Sequence, residues 1–117
     1  MTATPLGPYT PVVRSGEWIV CSGQLGMSGG ALVGGGVAAE TTQAVTNLGQ
    51  LLATEGATLA DIVKTTVFLT NMDDFAAMNE AYIAAFGDHR PARSTIGVAA
   101  LPVAGAAVEI EAWARKG

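Results

Sequence analysis

Two charged segments near the end of the chain contain the residue types that could do chemistry. Residues 92–99 read A-R-S-T-I-G-V-A, and residues 107–114 read A-V-E-I-E-A-W-A. Each alternates apolar positions with polar ones, which predicts two strands separated by Leu101-Pro102 and Gly105. Successive side chains of a strand point to opposite sides. Arg93 and Thr95 therefore share one face of the first strand, and Glu109 and Glu111 share one face of the second.

An arginine and a carboxylate on one apolar surface would make a site for a small acid. A guanidinium is a planar fork that holds a carboxylate by two hydrogen bonds, and a nearby glutamate can move a proton. The alternative is an ordinary cross-strand ion pair between Arg93 and Glu109 or Glu111. Spacing alone favours the ion pair, because such pairs are common in sheets.

The composition predicts a small subunit that associates with copies of itself. The chain has 117 residues, which indicates one domain, 1–117, with no visible repeat or linker. Charged residues make up 14% and hydrophobic residues 50%, whereas about 25% charged is usual. A monomer of this size should show more charge to water, so we expect a closed homo-oligomer.

Charge and cysteine content argue against several classes of function. The net charge is −4, and the six basic residues form no basic stripe, so nucleic acid is not expected as a partner. The start of the chain lacks a signal-peptide pattern, and the apolar run 96–108 is too short to span a membrane. One cysteine, Cys21, excludes an internal disulfide and a cysteine-cluster metal site. We expect a cytoplasmic protein without a metal ion.

The remaining elements predict an α+β fold with two helices on one face of a mixed sheet. A hairpin forms around Ser15-Gly16, and both faces of its second strand are expected to be buried. The glycine-rich stretch 27–36 matches no phosphate-binding pattern and reads as a turn and a loose loop. Helices are predicted over 37–55 and from an Asn71 cap to Phe86, stopped by Gly87, with a strand over 62–70 between them.

Four further side chains are worth following. Tyr9, held between two prolines, could face a pocket or cover an edge of the core. Cys21 is expected to be a buried core residue rather than a nucleophile. Asn79 lies on the apolar stripe of the second helix, where its amide either binds backbone or lines a polar pocket. His89, the only histidine, is expected to be solvated in its loop.

Six sequence blocks together resemble the RidA/YjgF family of reactive-intermediate deaminases, and they occur in family order. They are G-P-Y at 7–9, S-G-Q at 22–24, K-T-T-V-F-L at 64–69, M-D-D-F-A-A-M-N at 72–79, P-A-R-S at 91–94 and V-E-I-E-A at 108–112. The resemblance implies a fold like that of small trimeric chorismate mutases. In it, a six-stranded mixed sheet carries two helices on one face, and three subunits pack their sheets into a central barrel. The active sites lie between neighbours.

The resemblance also implies an activity and a set of site residues. The family hydrolyses 2-imino and 2-enamine acids, such as 2-aminoacrylate, to 2-keto acids and ammonia, without a metal or an organic cofactor. Arg93 matches the residue that holds the substrate carboxylate, and Glu109 matches the acid that positions or activates water. Residues lining the substrate are matched by Tyr9, Ser22, Asn79 and Thr95.

Three departures leave the substrate open. Thr95 stands where many members carry cysteine, so no thiol takes part. The 87–91 loop is a few residues short, and Arg90 replaces an aromatic residue. The alternatives to a general imine deaminase are therefore a member specific for one enamine intermediate and a trimer that binds small carboxylates without turnover.

Overall fold

A five-stranded mixed sheet with two helices on one face forms the body of the protein in a computed structural model, which describes residues 5–117. The α+β class is confirmed. The strands are β1 (Val12–Ser15), β2 (Trp18–Leu25), β3 (Met27–Ser28), β4 (Ala31–Leu32), β5 (Ile62–Leu69), β6 (Ala92–Gly97) and β7 (Val108–Arg115), and the helices are α1 (Gly36–Ala53) and α2 (Phe75–Phe86).

The strand order in the main sheet is β1-β2-β7-β5-β6. β5 and β6 are parallel, and they flank α2 in the chain, whereas the other neighbours are antiparallel. β7 lies in the middle of the sheet, between β2 and β5. The two strands that carry Arg93 and Glu109, β6 and β7, are therefore consecutive in the chain but separated in the sheet by β5.

The predicted six-stranded sheet is wrong in its strand count, because the glycine-rich segment forms a separate two-stranded sheet. β3 and β4 pair antiparallel through Met27–Leu32 and Ser28–Ala31. Gly29 and Gly30 connect them with φ angles of 64° and 86°, the left-handed conformation that a tight two-residue hairpin requires. The loose loop expected over 27–36 is therefore a hairpin in its first half.

The second helix begins and ends near the residues that its signals indicate, whereas α1 ends at Ala53, before the predicted end at residue 55. The Asn71 side chain accepts a hydrogen bond from the Asp73 backbone N–H at 2.9 Å, and it caps a short 3-10 helix, Met72–Asp74, that leads into α2. Gly87, with φ at 65°, ends α2 as predicted. Glycine suits that position because the left-handed region is strained for other residues.

The core lies between the helices and one face of the sheet. In β7, alternate residues Val108, Ile110 and Ala112 are completely buried on that face. The opposite face of the sheet is not covered within residues 5–117. Trp18 is 40% exposed and Trp113 is 46% exposed, and their rings meet edge to face at 6.1 Å. The expectation that both faces of β2 are buried is therefore wrong for a single chain.

Three smaller predictions can be compared with the structure. Cys21 is buried as predicted, and burial raises the pKa of its thiol to about 11. His89 is not freely solvated, because its Nε2 donates to the Ile62 carbonyl at 2.8 Å and ties the loop after α2 to the start of β5. No helix in the described part of the chain is long and apolar enough to cross a membrane.

Candidate functional site

Arg93 lies on the helix side of the edge strand β6. It pairs with Thr65 of β5, which pairs in turn with Ala112 of β7, so all three side chains share the face covered by the helices. The guanidinium carbon lies 4.9 Å from the centre of the Tyr82 ring and 5.7 Å from that of Phe75. None of the three ion pairs found among residues 5–117 involves Arg93. The guanidinium is thus held by aromatic rings, without a carboxylate.

Asn79 lies on the stripe of α2 that carries the two rings beside Arg93. It follows Phe75 by four residues and precedes Tyr82 by three, which places it on the helix stripe between the two rings that flank Arg93. Its Oδ1 atom is buried and has no hydrogen-bond partner. A buried amide oxygen without a donor costs stability unless something supplies one. Of the two roles left open for Asn79, this favours the polar pocket.

Thr95 completes what we call the arginine group, which consists of Phe75, Asn79, Tyr82, Arg93 and Thr95. Thr95 lies two residues after Arg93 and pairs with Val67 of β5, on the same face of the sheet. Its side chain is half-buried. The predicted face-sharing of Arg93 and Thr95 is therefore confirmed.

Glu109 lies on the opposite, open face of the sheet. Its neighbours Val108 and Ile110 are completely buried on the helix side, so alternation turns Glu109 and Glu111 to the other side. Glu109 is half-buried, and burial raises the pKa of its carboxyl, with a smaller contribution from the negative charge of Glu111. A carboxyl with a raised pKa is better suited to exchange protons near neutral pH.

A cavity of about 580 Å³ opens beside Glu109, and we call it the glutamate cavity. Its walls come from the segment before β1, the end of β2, the β3–β4 hairpin and the polar side of α1. Tyr9, Gly23, Gln24, Met27, Gln43, Asn47, Leu51 and Glu109 are among the lining residues. Tyr9 and Glu109 thus line the same cavity within a single chain.

Gly23 allows the Glu109 carboxyl to approach the backbone of β2. The β2–β7 register shifts between Cys21 and Gln24, so Ser22 and Gly23 form an irregularity in the strand. A Cβ atom on Gly23 would lie only 2.8 Å from Cδ of Glu109. Alternation alone gave no reason to single out this glycine, which is part of the S-G-Q block.

Ser22 anchors the segment that carries Tyr9. Its Oγ donates to the Thr10 carbonyl at 2.7 Å, and its backbone N–H donates to the Pro11 carbonyl at 2.8 Å. Tyr9 itself is 44% exposed, and its hydroxyl accepts a hydrogen bond from the Leu6 N–H at 3.2 Å. Within one chain, Ser22 therefore holds the wall of the glutamate cavity rather than lining it.

Two amides from α1, which helix periodicity alone does not single out, also shape this cavity. Asn47 Nδ2 donates to the carbonyls of Leu25 and Met27, at 3.1 and 3.0 Å, and Gln43 Nε2 donates to Asn47 Oδ1 at 2.9 Å. These bonds fix the β2–β3 connection against α1. This role of Asn47 could not be predicted from the sequence, because it depends on where α1 packs against the end of β2.

The arginine group and the glutamate cavity do not meet within one chain. Arg93 is in phase with Ala112 across β5, so it lies on the face opposite to Glu109 and Glu111. Neither the shared surface nor the cross-strand ion pair predicted from the spacing forms inside a single chain. A site that uses both Arg93 and Glu109 requires residues from two copies.

The loop before β6 adds no further charge to either group of residues. Arg90 is exposed, and its Nη1 donates to the carbonyls of Gly87 and His89. The described residues contain no cluster of three or more histidine, cysteine, aspartate or glutamate side chains that could hold a metal ion.

The chain is similar to a well-populated set of known proteins. A family model described as endoribonuclease L-PSP matches residues 1–116. The human 2-iminobutanoate/2-iminopropanoate deaminase is 46% identical over 114 residues, which cover 96% of this chain and 82% of that protein. The crystal structure of RidA from the Antarctic bacterium Psychrobacter superimposes with a TM-score of 0.91 at 35% identity, covering 97% of this chain and 93% of that one. The structure of E. coli TdcF with bound serine gives 0.90 at 30% identity, with 99% and 94% covered.

Proposed function

The chain belongs to the endoribonuclease L-PSP family, the RidA/YjgF proteins, and from that premise we propose that it hydrolyses 2-imino acids and their enamine tautomers to 2-keto acids and ammonia. The single observation that carries the proposal is the Arg93 guanidinium. It has no acidic partner among the described residues, and Asn79, on the helix stripe between the two rings that flank it, has a buried amide oxygen without a hydrogen-bond donor.

The arginine group would bind the acid end of the substrate. A guanidinium binds a carboxylate through two parallel N–H donors, and this bond is strongest where little water competes. In the proposed complex, Arg93 holds the carboxylate and Asn79 Oδ1 accepts a hydrogen bond from a donor of the substrate. TdcF, the relative solved with serine, binds a small molecule that carries a carboxylate. We therefore propose short 2-imino acids, with their 2-keto acid products, as the ligands.

Glu109 would activate the attacking water and transfer protons. The substrate is R–C(=NH2+)–COO−, and water adds to C2 to give a carbinolamine while Glu109 takes one proton from the water. Glu109 then delivers that proton to the nitrogen, the C–N bond breaks with its electron pair going to nitrogen, and the hydroxyl proton passes to the departing ammonia. The products are R–CO–COO− and NH4+. The raised pKa of Glu109 suits a group that both accepts and returns a proton.

The catalytic unit would be a homotrimer with a central barrel and sites between subunits. Arg93 and Glu109 lie on opposite faces of one sheet, so Arg93 of one copy has to meet Glu109 of another. The uncovered sheet face supports association, because it exposes Trp18, Ile96 and Trp113 by 40–46% each. Water-exposed apolar surface on this scale marks an interaction site. We propose a cytoplasmic location for this assembly.

Hydrolysis can be tested on an imine made in situ by an amino acid oxidase, with semicarbazide competing for it. We expect wild type to release keto acid and ammonia before semicarbazide traps the imine, and Arg93→Ala and Glu109→Gln each to cut this rate at least about 100-fold. The matched control is Arg115→Ala, which removes an exposed arginine whose partner is Glu17. If wild type leaves the imine lifetime unchanged, while 2-oxobutanoate binding depends on Arg93 alone, the protein is a carboxylate binder.

The shared site can be tested by mixing the two inactive variants. In a trimer assembled at random from equal amounts of Arg93→Ala and Glu109→Gln chains, about a quarter of the sites combine an intact Arg93 with an intact Glu109 of the neighbour. We expect the refolded mixture to regain about that share of wild-type activity. If the mixture stays as inactive as its components, the site does not lie between subunits.

A series of imines would separate a general deaminase from a specific one. The same assay, run with imines made from alanine, 2-aminobutyrate, leucine and methionine, gives similar kcat/KM values for a general enzyme. A single preferred imine, at least about 100-fold above the others, would indicate a pathway-specific member.

A further inference from the structure

We propose that Tyr82 and Phe75 clamp the Arg93 guanidinium between them and thereby select the edge that it presents to a carboxylate. This inference rests on the proposed function, since it concerns how the carboxylate anchor is held. Tyr82 and Phe75 are positioning residues in this scheme, because they act on the substrate only through Arg93.

Two contacts fix the buried Tyr82 ring. It is only 4% exposed, and its hydroxyl shares a hydrogen bond of 2.7 Å with Oγ1 of Thr65, which is completely buried. The Phe86 ring packs against it at 4.6 Å between centroids. Since Thr65 is the strand partner of Arg93, the hydroxyl bond ties the ring to the strand next to the residue that it supports. The ring therefore provides a rigid surface for the guanidinium.

The two rings leave one edge of the guanidinium unpaired. Nη1 points to the sulfur of the fully buried Met78, at 3.9 Å, which is a weak acceptor. Nε and Nη2 have no hydrogen-bond partner in the described part of the protein. These two atoms carry parallel N–H groups on the same side of the guanidinium, the arrangement that matches the two oxygens of a carboxylate. The Met78 contact and the two rings thus orient the Nε–Nη2 edge for the substrate.

The clamp explains why an arginine is required here. A free arginine side chain loses conformational freedom when it binds a ligand, and that loss weakens binding. Stacking on rings supplies cation–π attraction and reduces the freedom that remains to be lost. A lysine at position 93 would keep the charge but lacks the planar group that can lie against a ring while offering two parallel donors.

Two measurements on the same variants test the clamp. The variants are Tyr82→Leu and Phe75→Leu, with Ile83→Ala as the matched control, because Ile83 is on the same helix and is 50% exposed. The first measurement is the Kd for 2-oxobutanoate by calorimetry. The second is the NMR chemical shift of the Arg93 Nε–H, assigned with Arg93→Lys, which reports ring currents from Tyr82 whether or not a ligand binds.

We expect Tyr82→Leu to raise the Kd about tenfold, with Phe75→Leu weaker in effect and Ile83→Ala unchanged. The Arg93 Nε–H resonance should move toward the position of an ordinary arginine in Tyr82→Leu, and also in the double variant Tyr82→Leu with Phe75→Leu. For the imine substrate, the loss should fall on KM rather than on kcat, because the carboxylate is held equally in ground state and transition state. A general structural defect in Tyr82→Leu would instead lower kcat as well as raise KM.

A second pair of variants keeps the test independent of folding. Tyr82→Phe leaves the buried Thr65 hydroxyl without its partner, whereas Tyr82→Phe combined with Thr65→Val removes both polar atoms and should restore stability. The double variant should keep the stacked ring and bind 2-oxobutanoate within about threefold of wild type.

The outcomes separate this inference from the proposed function. If wild type binds 2-oxobutanoate, Arg93→Lys does not, and Tyr82→Leu binds as well as wild type with an unmoved Nε–H resonance, the clamp is wrong and the carboxylate anchor stands. If wild type does not bind 2-oxobutanoate, the proposed function is wrong, and the NMR shift alone decides whether the rings hold Arg93.

Discussion

Replacing Gly23 by alanine should displace the Glu109 carboxyl without disturbing the fold. The new Cβ would lie 2.8 Å from Cδ, 3.0 Å from Cγ and 3.2 Å from Oε1 of Glu109. Ordinary contact begins at 3.4 Å, so the carboxyl carbon must retreat by 3.4 minus 2.8, or about 0.6 Å. Gly23 has no positive φ angle, so an alanine fits the backbone there.

The free energy of unfolding should hardly change. Moving the end of a flexible glutamate off its preferred rotamer costs about 0.5–1.5 kcal/mol. Replacing glycine by alanine at a compatible position stabilises by about 0.4–1 kcal/mol, because the unfolded chain has fewer conformations. The two effects nearly cancel. The rate is more sensitive, since a misplacement of about 1 Å in a reacting group can cost about 100-fold. A retreat of about 0.6 Å therefore predicts a loss of about 10- to 20-fold in kcat/KM.

The assay combines imine hydrolysis with urea unfolding of the same preparations. The control is Gly49→Ala on α1, where the new Cβ would meet Leu59 at an ordinary 3.7 Å, so activity should be unchanged and stability slightly higher. A Gly23→Ala enzyme with the full wild-type rate would refute the role of Gly23 in placing Glu109. A large fall in stability that parallels the fall in rate would refute it equally.

Four further predictions follow from groups that are buried or half-buried. The kcat/KM should rise with pH through an apparent pKa above the ordinary glutamate value of 4.5, and Glu111→Gln should move this limb to lower pH by removing a negative charge. A raised folded-state pKa gives a contribution to stability that is fully present below the unfolded pKa and is lost as pH rises through the folded pKa. Glu109→Gln should therefore raise the Tm near neutral pH and not in acid. Cys21 should not react with Ellman's reagent in the native protein, and it should react fully in urea; native reactivity would contradict its burial and its pKa of about 11. Glu40→Ala should lower the unfolding free energy by about 1–3 kcal/mol in urea titrations, because it removes the acceptor of the Ala107 N–H. Glu40→Gln keeps an acceptor oxygen and should lose less stability. Equal losses in the two variants would contradict this reason.

Much of the fold could be predicted from periodicity and stop signals. The apolar repeats gave both helices, and alternation correctly placed Glu109 and Glu111 on one face of their strand and Val108 and Ile110 on the other. These features depend on residues close together in the chain, whose geometry is fixed by helix and strand periods. Gly87 ends its helix for a similarly local reason.

The relation between Arg93 and Glu109 could not be predicted in this way. Alternation fixes the faces within one strand, but the relative phase of two strands depends on what pairs between them. Here β5 lies between the two strands, and its register sets Arg93 level with Ala112 rather than with an acid. The same limit applies to His89, whose partner is the carbonyl of Ile62.

The residues of the candidate site could likewise be predicted only in part from the sequence. Asn79 stood out from the sequence because an amide interrupts an apolar stripe, and the structure leaves its Oδ1 without a partner. Gly23 and the α1 amides gave no comparable signal. Their roles come from close approach to groups distant in the chain, namely Glu109 for Gly23 and the Leu25 and Met27 carbonyls for Asn47.

The central position of β7 has a consequence for biosynthesis. β7 joins β2 to β5, yet it follows every other strand in the chain. While the ribosome is still making residues 108–115, the nascent polypeptide holds two half-sheets with open edges that no later strand has yet joined. Long-range pairing of this kind is slow and leaves unfolded material prone to aggregate. The emergence of β7, rather than that of any earlier segment, should therefore be the moment at which the sheet can close.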